Sequence, residues 1–137
     1  MATQPPESST SKSTILIVDD AEDNLFITKK IINSLGYDAI TAKDGNEAIE
    51  ATKKGDLSLI LMDCNLPGIS GFEATSIIRE WESQQNRSQI PIIALTAHVS
   101  EEIYQECLEA GMNDRLIKPL QINKLKETLE GLVKVSA

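Results

Sequence analysis

The sequence predicts an α/β fold, a doubly wound five-stranded parallel sheet with five helices, on three observations. Short apolar runs alternate along the chain with segments whose apolar residues lie three and four apart, the spacing of a helix face. The runs are near-continuously apolar, as strands are when helices cover both faces of a parallel sheet. Four of them end abruptly in polar residues: Ile15–Val18 in Asp19 and Asp20, Leu59–Met62 in Asp63, Ile92–Leu95 in Thr96, and Leu116–Ile117 in Lys118.

Residues 1–12 hold almost nothing that could be buried, so they are expected to form a disordered tail before a domain at 13–137. Strand one is Ile15–Val18, and a helix follows from Glu22 to Leu35, ended by Gly36, which can take the left-handed conformation past a helix end. Asp38–Ala42 is a short strand, and Asn46–Lys54 a helix with Ala48, Ile49 and Thr52 on one face, closed by Gly55. Leu57–Met62 is strand three. The third helix follows Ser70 with Ala74, Ile77, Ile78 and Trp81 as its stripe, and a polar stretch at Glu82–Gln89 separates it from strand four at Ile90–Leu95. Pro91 is tolerable at the start of that strand. Ser100 can N-cap helix four, with Glu101 and Glu102 where the helix dipole favours anions, and Gly111 ends it. Leu116–Ile117 is the core of strand five, and Ile122, Leu125, Leu129 and Leu132 make the stripe of a terminal helix.

At 137 residues, with 41% hydrophobic side chains, the chain can close one core without metal or disulfide staples. Its 13 basic and 21 acidic side chains leave a net charge of -8, which disfavours contact with nucleic acid or an anionic membrane. Cys64 and Cys107 lie far apart in sequence without CxxC or Cys/His neighbours, so they are expected to be buried thiols in a reducing compartment. No apolar stretch approaches the ~20 residues that span a bilayer, and the N-terminus lacks a signal-peptide core. A cytoplasmic location is expected.

In open parallel sheets ligands bind beyond the carboxyl ends of the strands. Pattern alone therefore gathers Asp19, Asp20, Asp63, Thr96 and Lys118 at one edge. Three carboxylates in one pocket repel one another and need a cation; oxygen-only ligands point to a hard metal, Mg2+ with Mn2+ possible. Such a site attracts a phosphoryl group, and a carboxylate can itself be the nucleophile. Lys118 offers a point charge for a phosphoryl oxygen and Thr96 a hydroxyl donor, while the small Ala97 leaves the approach open. Singly, each has a plainer use: Asp19 and Asp20 as caps of the first helix, Thr96 as a strand-end hydroxyl, Lys118 as a solvated lysine. Four successive strand ends argue for the joint site.

From about Ser13 to Val133 the chain resembles the receiver domains of two-component response regulators, on the motifs Ile-Val-Asp19-Asp20, Met-Asp63-Cys-Asn-Leu-Pro67-Gly-Ile-Ser-Gly71, Leu-Thr96-Ala97-His98 and Lys118-Pro119. The resemblance implies a flavodoxin-like sheet of order 2-1-3-4-5. It implies Asp63 as phosphoacceptor, and Asp20, Asp63 and the backbone carbonyl of Asn65 as metal ligands, with Asp19 assisting through water. It gives Thr96 and Lys118 the phosphoryl oxygens, Ala97, His98 and Pro119 supporting places around them, and a cis Lys118–Pro119 peptide. The resemblance also implies that Asn65 and His98 flank the phosphoryl site. Ala94–Val99 looks most like receivers of hybrid histidine kinases.

At position 115 the family usually carries tyrosine or phenylalanine, and this chain has Arg115. Strand alternation turns Arg115 away from Lys118. It is expected on the surface of helix four, strand five and helix five, near Glu102, Glu106 or Glu109, as part of a partner surface. With only Val133–Ala137 after the terminal helix, the expected function is that of a stand-alone receiver. It would take a phosphoryl group from a phosphohistidine of a sensor histidine kinase or histidine phosphotransfer protein, and signal by docking to a downstream protein or by phosphorelay. It would not be an enzyme beyond its self-catalysed phosphotransfer and dephosphorylation. Two rivals fit less well. A magnesium-dependent aspartyl-phosphate phosphatase needs a second acid where Asn65 stands, and a flavodoxin-like FMN binder needs a phosphate loop where Asp19 and Asp20 would repel phosphate.

Overall fold

In a computed structural model of the chain, which describes residues 13–133, strands and helices alternate without exception. They are β1 (Thr14–Val18), α1 (Glu22–Ser34), β2 (Asp38–Ala42), α2 (Gly45–Lys54), β3 (Leu59–Asp63), α3 (Gly71–Gln84), β4 (Ile92–Thr96), α4 (Glu101–Ala110), β5 (Asp114–Ile117) and α5 (Ile122–Leu132). The expected tail at 1–12 lies outside the described residues. All strand pairs are parallel, and the sheet order is β2-β1-β3-β4-β5. The anticipated fold class and strand order are those observed.

The apolar runs form the middle of the sheet because both of their faces are covered. Leu16, Val18, Ile60, Met62, Ile92 and Ala94 point to one face, where they meet Ala48 and Ile49 of α2, Ala74 and Ile78 of α3, and Cys107 of α4. Ile15, Ile17, Leu59, Leu61, Ile93 and Leu95 point to the other, against Leu25 and Ile32 of α1 and Leu125 and Leu129 of α5. Burying one such side chain stabilises the fold by about 1.5–3 kcal/mol. Because the strands are parallel and each helix runs back, α5 ends at the amino edge, where β1 begins.

Three strand starts differ from expectation by two residues. Strand three starts at Leu59 rather than Leu57 and includes Asp63. Strand four starts at Ile92 rather than Ile90, because Pro91 has no N–H to offer and the Ile90 N–H donates instead to Glu82 Oε2 at 2.8 Å. Strand five starts earlier, at Asp114.

The third helix departs further. Its buried stripe is Ala74, Thr75, Ile78 and Glu82 and it runs on to Gln84, so the polar stretch that separates it from β4 begins at Gln85 rather than Glu82, and Trp81 is not on the buried line. Glu82 is 1% exposed and accepts from Arg79 Nη1 at 2.8 Å, while Arg79 Nε donates to the Gly111 carbonyl at 2.9 Å. Arg79 Nη2 also donates to Asn113 Oδ1 at 2.9 Å, and Trp81 is half-buried beneath Arg87. The capping expectations agree with the structure: Ser100 Oγ accepts from Ile103 N, and Gly36 and Gly111 have φ of 100° and 109°.

Candidate functional site

Asp63 ends the central strand β3 and is 5% exposed; Asp19 follows β1 and is 3% exposed. Alternation gives both the side of the sheet that Leu61 and Ile17 occupy. Asp20, one residue on, is exposed, and carboxylate oxygens of all three acids lie within 4.8 Å of one another. Two buried oxygen donors and one at the solvent edge suit a hard divalent cation that keeps part of its water.

Lys118, just past β5, closes the group from the other side. Its Nζ donates to Asp63 Oδ2 at 2.8 Å and to Asp19 Oδ2 at 3.2 Å. Burial works against the Lys118 charge, yet the Asp63 and Asp19 carboxylates outweigh it and raise its pKa above lysine's ordinary value. It therefore stays cationic at neutral pH. The other carboxylate oxygens are held by the chain itself: Asp63 Oδ1 accepts from Asn65 N at 2.9 Å, and Asp19 Oδ1 from Ala21 N at 3.0 Å. Asp19 thus closes the turn before α1 without capping it, since the N-cap residue is Ala21 and no side chain caps that helix end. The Lys118–Pro119 peptide is cis, as the resemblance implied.

Thr96 is buried at the end of β4, but its hydroxyl points into its own loop, where it accepts from His98 N at 3.0 Å. It makes no hydrogen bond to the acids or to Lys118. Thr96 is tied to strand five through its carbonyl, which accepts from Lys118 N at 2.8 Å. Ala97 and His98 are exposed beyond it, and Asn65 and Pro119 are exposed on neighbouring loops. The structure thus joins Asp19, Asp20, Asp63 and Lys118 directly, and leaves Thr96 adjacent with its hydroxyl occupied.

Arg115 does lie on the side away from Lys118, in the place expected, but with different company. Among the described residues it forms no ion pair with Glu102, Glu106 or Glu109. Its Nη1 donates to the Ser100 carbonyl at 2.8 Å and its guanidinium lies 4.6 Å from the centre of the Tyr104 ring. A planar cation finds both a carbonyl at the helix start and an aromatic face, and these hold it more fully than mobile surface carboxylates.

Two contributors escaped the sequence reading. Gly71 packs so tightly under the site that a Cβ there would collide with the Asp63 carbonyl oxygen, which fixes how closely α3 abuts the end of β3. The Gly68-Ile-Ser-Gly71 spacing was its only signal. Asn24 in the first turn of α1 reaches Asp19 Oδ2 at 3.4 Å, and nothing in its surroundings marks it out. Behind the site Cys64 and Cys107, distant in sequence, are both free and buried in the same core cluster. Burial first, then the neighbouring thiol and Asp63, push the Cys64 thiol up to about 12.

An open cleft of about 520 Å³ leads from Asp19 and Lys118 past Asn24, the exposed Ile27 and Leu120. A cavity of about 570 Å³ between α2 and the amino edge, lined by Thr14, Ile40 and Leu57, touches none of the site residues.

Residues 15–130 match the family model described as Response regulator receiver domain. The sensor protein GacS of Pseudomonas syringae pv. syringae is 35% identical over 125 residues, which make up 91% of this chain and 14% of that protein. The chain therefore spans a small part of that relative's length. Among solved structures, the co-crystal of the Saccharomyces cerevisiae histidine phosphotransfer signaling protein Ypd1 with the receiver domain of Ssk1 matches with a TM-score of 0.85 and 33% identity over 90% of each chain. The receiver domain of sensor histidine kinase PA1611 from Pseudomonas aeruginosa PAO1, with magnesium coordinated in its active site cleft, matches at 0.79 and 36% identity, covering 90% of this chain and 98% of that one.

Proposed function

Because the chain belongs to the response regulator receiver domain family, we propose that it accepts a phosphoryl group onto Asp63 from a phosphohistidine and transmits a signal by phosphorelay or phosphorylation-dependent docking. The single observation that carries this reading is the Asp63 carboxylate, delivered by a buried central strand into contact with Lys118 Nζ at 2.8 Å and beside Asp19 and Asp20. A carboxylate is a weak nucleophile, and position is what the chain supplies. Backbone N–H of Asn65 holds one oxygen, leaving the oxygen that faces Lys118 to be presented.

In the transfer an Asp63 oxygen forms a bond to phosphorus while the phosphorus–nitrogen bond to the histidine breaks, and the imidazole leaves with its electron pair. Lys118, held cationic by its carboxylate neighbours, would follow the phosphoryl oxygens as charge moves onto them. The Thr96 hydroxyl, one proton donor with two lone pairs, would turn from His98 N to donate to another phosphoryl oxygen. Asp19, Asp20 and Asp63, with the Asn65 carbonyl, are the groups proposed to hold Mg2+, with Mn2+ accepted in its place. Such an ion supplies charge neutralisation that lets a phosphoryl group approach three acids.

The cleft lined by Ile27, Ile31 and Leu120 gives a donor domain an apolar approach to Asp19 and Lys118, the latter in contact with Asp63. A sensor histidine kinase or a histidine phosphotransfer protein is the proposed donor, as the Ypd1 complex of the similar Ssk1 receiver supports. Among the described residues no helix is long and apolar enough to cross a membrane, and a cytoplasmic place is proposed. The chain is read as a phosphoacceptor rather than an enzyme that turns over a separate substrate.

Intact mass after incubation with acetyl phosphate tests the reading. A hydroxylamine-labile gain of one phosphoryl group is expected with magnesium and not without it, and it should vanish in Asp63→Asn. The same gain in Asp63→Asn would refute the assignment.

A further inference from the structure

The segment that links Thr96 to α4 is short and exposed, with Val99 69% accessible, yet it is held from a neighbouring strand. Arg115 stands on β5 opposite Ala94 of β4. From there its Nη1 donates to the carbonyl of Ser100, the N-cap residue of α4, at 2.8 Å. Its guanidinium also lies 4.6 Å from the centre of the Tyr104 ring, one turn into the helix. The far end of α4 is fastened differently: the Gly111 carbonyl is held by Arg79, itself paired with the buried Glu82. One end of α4 is thus set in a buried network, and the end that leads to Thr96 is held to β5 by a half-exposed clasp.

The clasp bears on the site through four residues of chain. Thr96 Oγ1 accepts from His98 N at 3.0 Å in this structure, an arrangement that keeps the hydroxyl within its own loop. Reaching a phosphoryl group on Asp63 means leaving or lengthening that bond, and the displaced backbone is directly continuous with Ser100. A hydrogen bond of 2.8 Å is lost within about 1 Å of such movement.

We propose that Arg115 is a positioning residue that holds the Ala97–Ser100 loop in its unphosphorylated geometry and opposes the movement that brings Thr96 to a phosphoryl group. The clasp opens as Thr96 engages, which frees the first turn of α4. A contact made in one state only shifts the balance between states by its own strength. One charged hydrogen bond and a cation–π contact at a partly solvated site predict a shift of about threefold to tenfold. The inference rests on the reading of Asp63 and Thr96 given above.

The test is the affinity of the full chain for beryllofluoride at saturating Mg2+, measured by calorimetry, with amide hydrogen exchange across Ser100–Tyr104 in the free protein. Arg115→Met keeps the aliphatic stem and removes the donors; it should bind about threefold to tenfold more tightly and exchange faster at the start of α4. Arg115→Lys, which retains a donor and the charge, should fall between it and the wild type. In a Thr96→Ala background Arg115→Met should give no gain, since the clasp acts only through Thr96. A merely structural role would lower the melting temperature without moving the affinity. Unchanged or weaker binding by Arg115→Met, or a gain that persists without Thr96, overturns the proposal. Should Arg115→Met fail to fold, Tyr104→Leu replaces it and must shift the affinity in the same direction. If wild-type protein binds Mg2+ but not beryllofluoride, the phosphoryl-site reading fails and the inference with it. If the wild type binds and the Arg115 variants match it, the inference alone fails.

Discussion

Asp20 differs from Asp19 and Asp63 in one respect that sets its role: it is exposed, so it takes no part in the packing that the other two share. Exposure makes it the acid that can be neutralised at least structural cost. A unit charge at ~4 Å and an effective dielectric constant of about 20 is worth about 4 kcal/mol, and 1.4 kcal/mol is a factor of ten. Even after heavy screening, Asp20→Asn is therefore expected to weaken Mg2+ binding at least about tenfold and to abolish phosphorylation at limiting magnesium, with an unchanged circular dichroism spectrum. Ordinary phosphorylation kinetics at limiting magnesium would contradict that. Residues of this kind were legible because a strand that ends in an acid is visible in sequence. The direction of the Thr96 hydroxyl was not, since it depends on a local bond to His98 N, and the partners of Arg115 were not, since they depend on how the first turn of α4 lies against β5.

α3 shows why periodicity finds an element more surely than its face. The apolar count put Trp81 on the buried line, whereas the helix buries Glu82 one residue later. The Glu82 carboxylate satisfies Ile90 N and pairs with Arg79, and Arg79 in turn holds Gly111 and Asn113. No spacing rule announces a buried acid whose partners sit three residues before it and eight after. The same network displaced the start of β4 from Ile90 to Ile92. Removing one member of a buried pair leaves the other charge unsatisfied, which costs about 3–5 kcal/mol. Glu82→Ala is expected to lower the unfolding free energy by about that much in urea titrations. Because the network lies at the amino edge, Asp63 should remain fully phosphorylatable below the melting transition. A loss under about 1 kcal/mol would show that the pair is not what holds α3 to β4.

Across the whole molecule, three of the 21 acids meet where they are least comfortable, at the carboxyl edge of the sheet. Lys118 answers part of that repulsion, and a divalent ion would answer the rest. A ligand that binds only the folded state at one hundred times its dissociation constant adds about 2.7 kcal/mol. For a chain of this length that corresponds to a rise in thermal midpoint of roughly 10 °C. Magnesium is expected to produce such a rise in wild-type protein and a much smaller one in Asp20→Asn. In EDTA the order should reverse, with Asp20→Asn the more heat-resistant of the two. A midpoint indifferent to magnesium would count against a cation among these acids. The opposite edge of the sheet has a different consequence. β1 starts there and α5 returns there. A fluorescent reporter joined before Ser13 or after Val133 would therefore stand a full strand length, about 17 Å, from Asp63 and leave its cleft clear. A tether of any length attached at that edge can carry the site to its donor without ever having to pass in front of it.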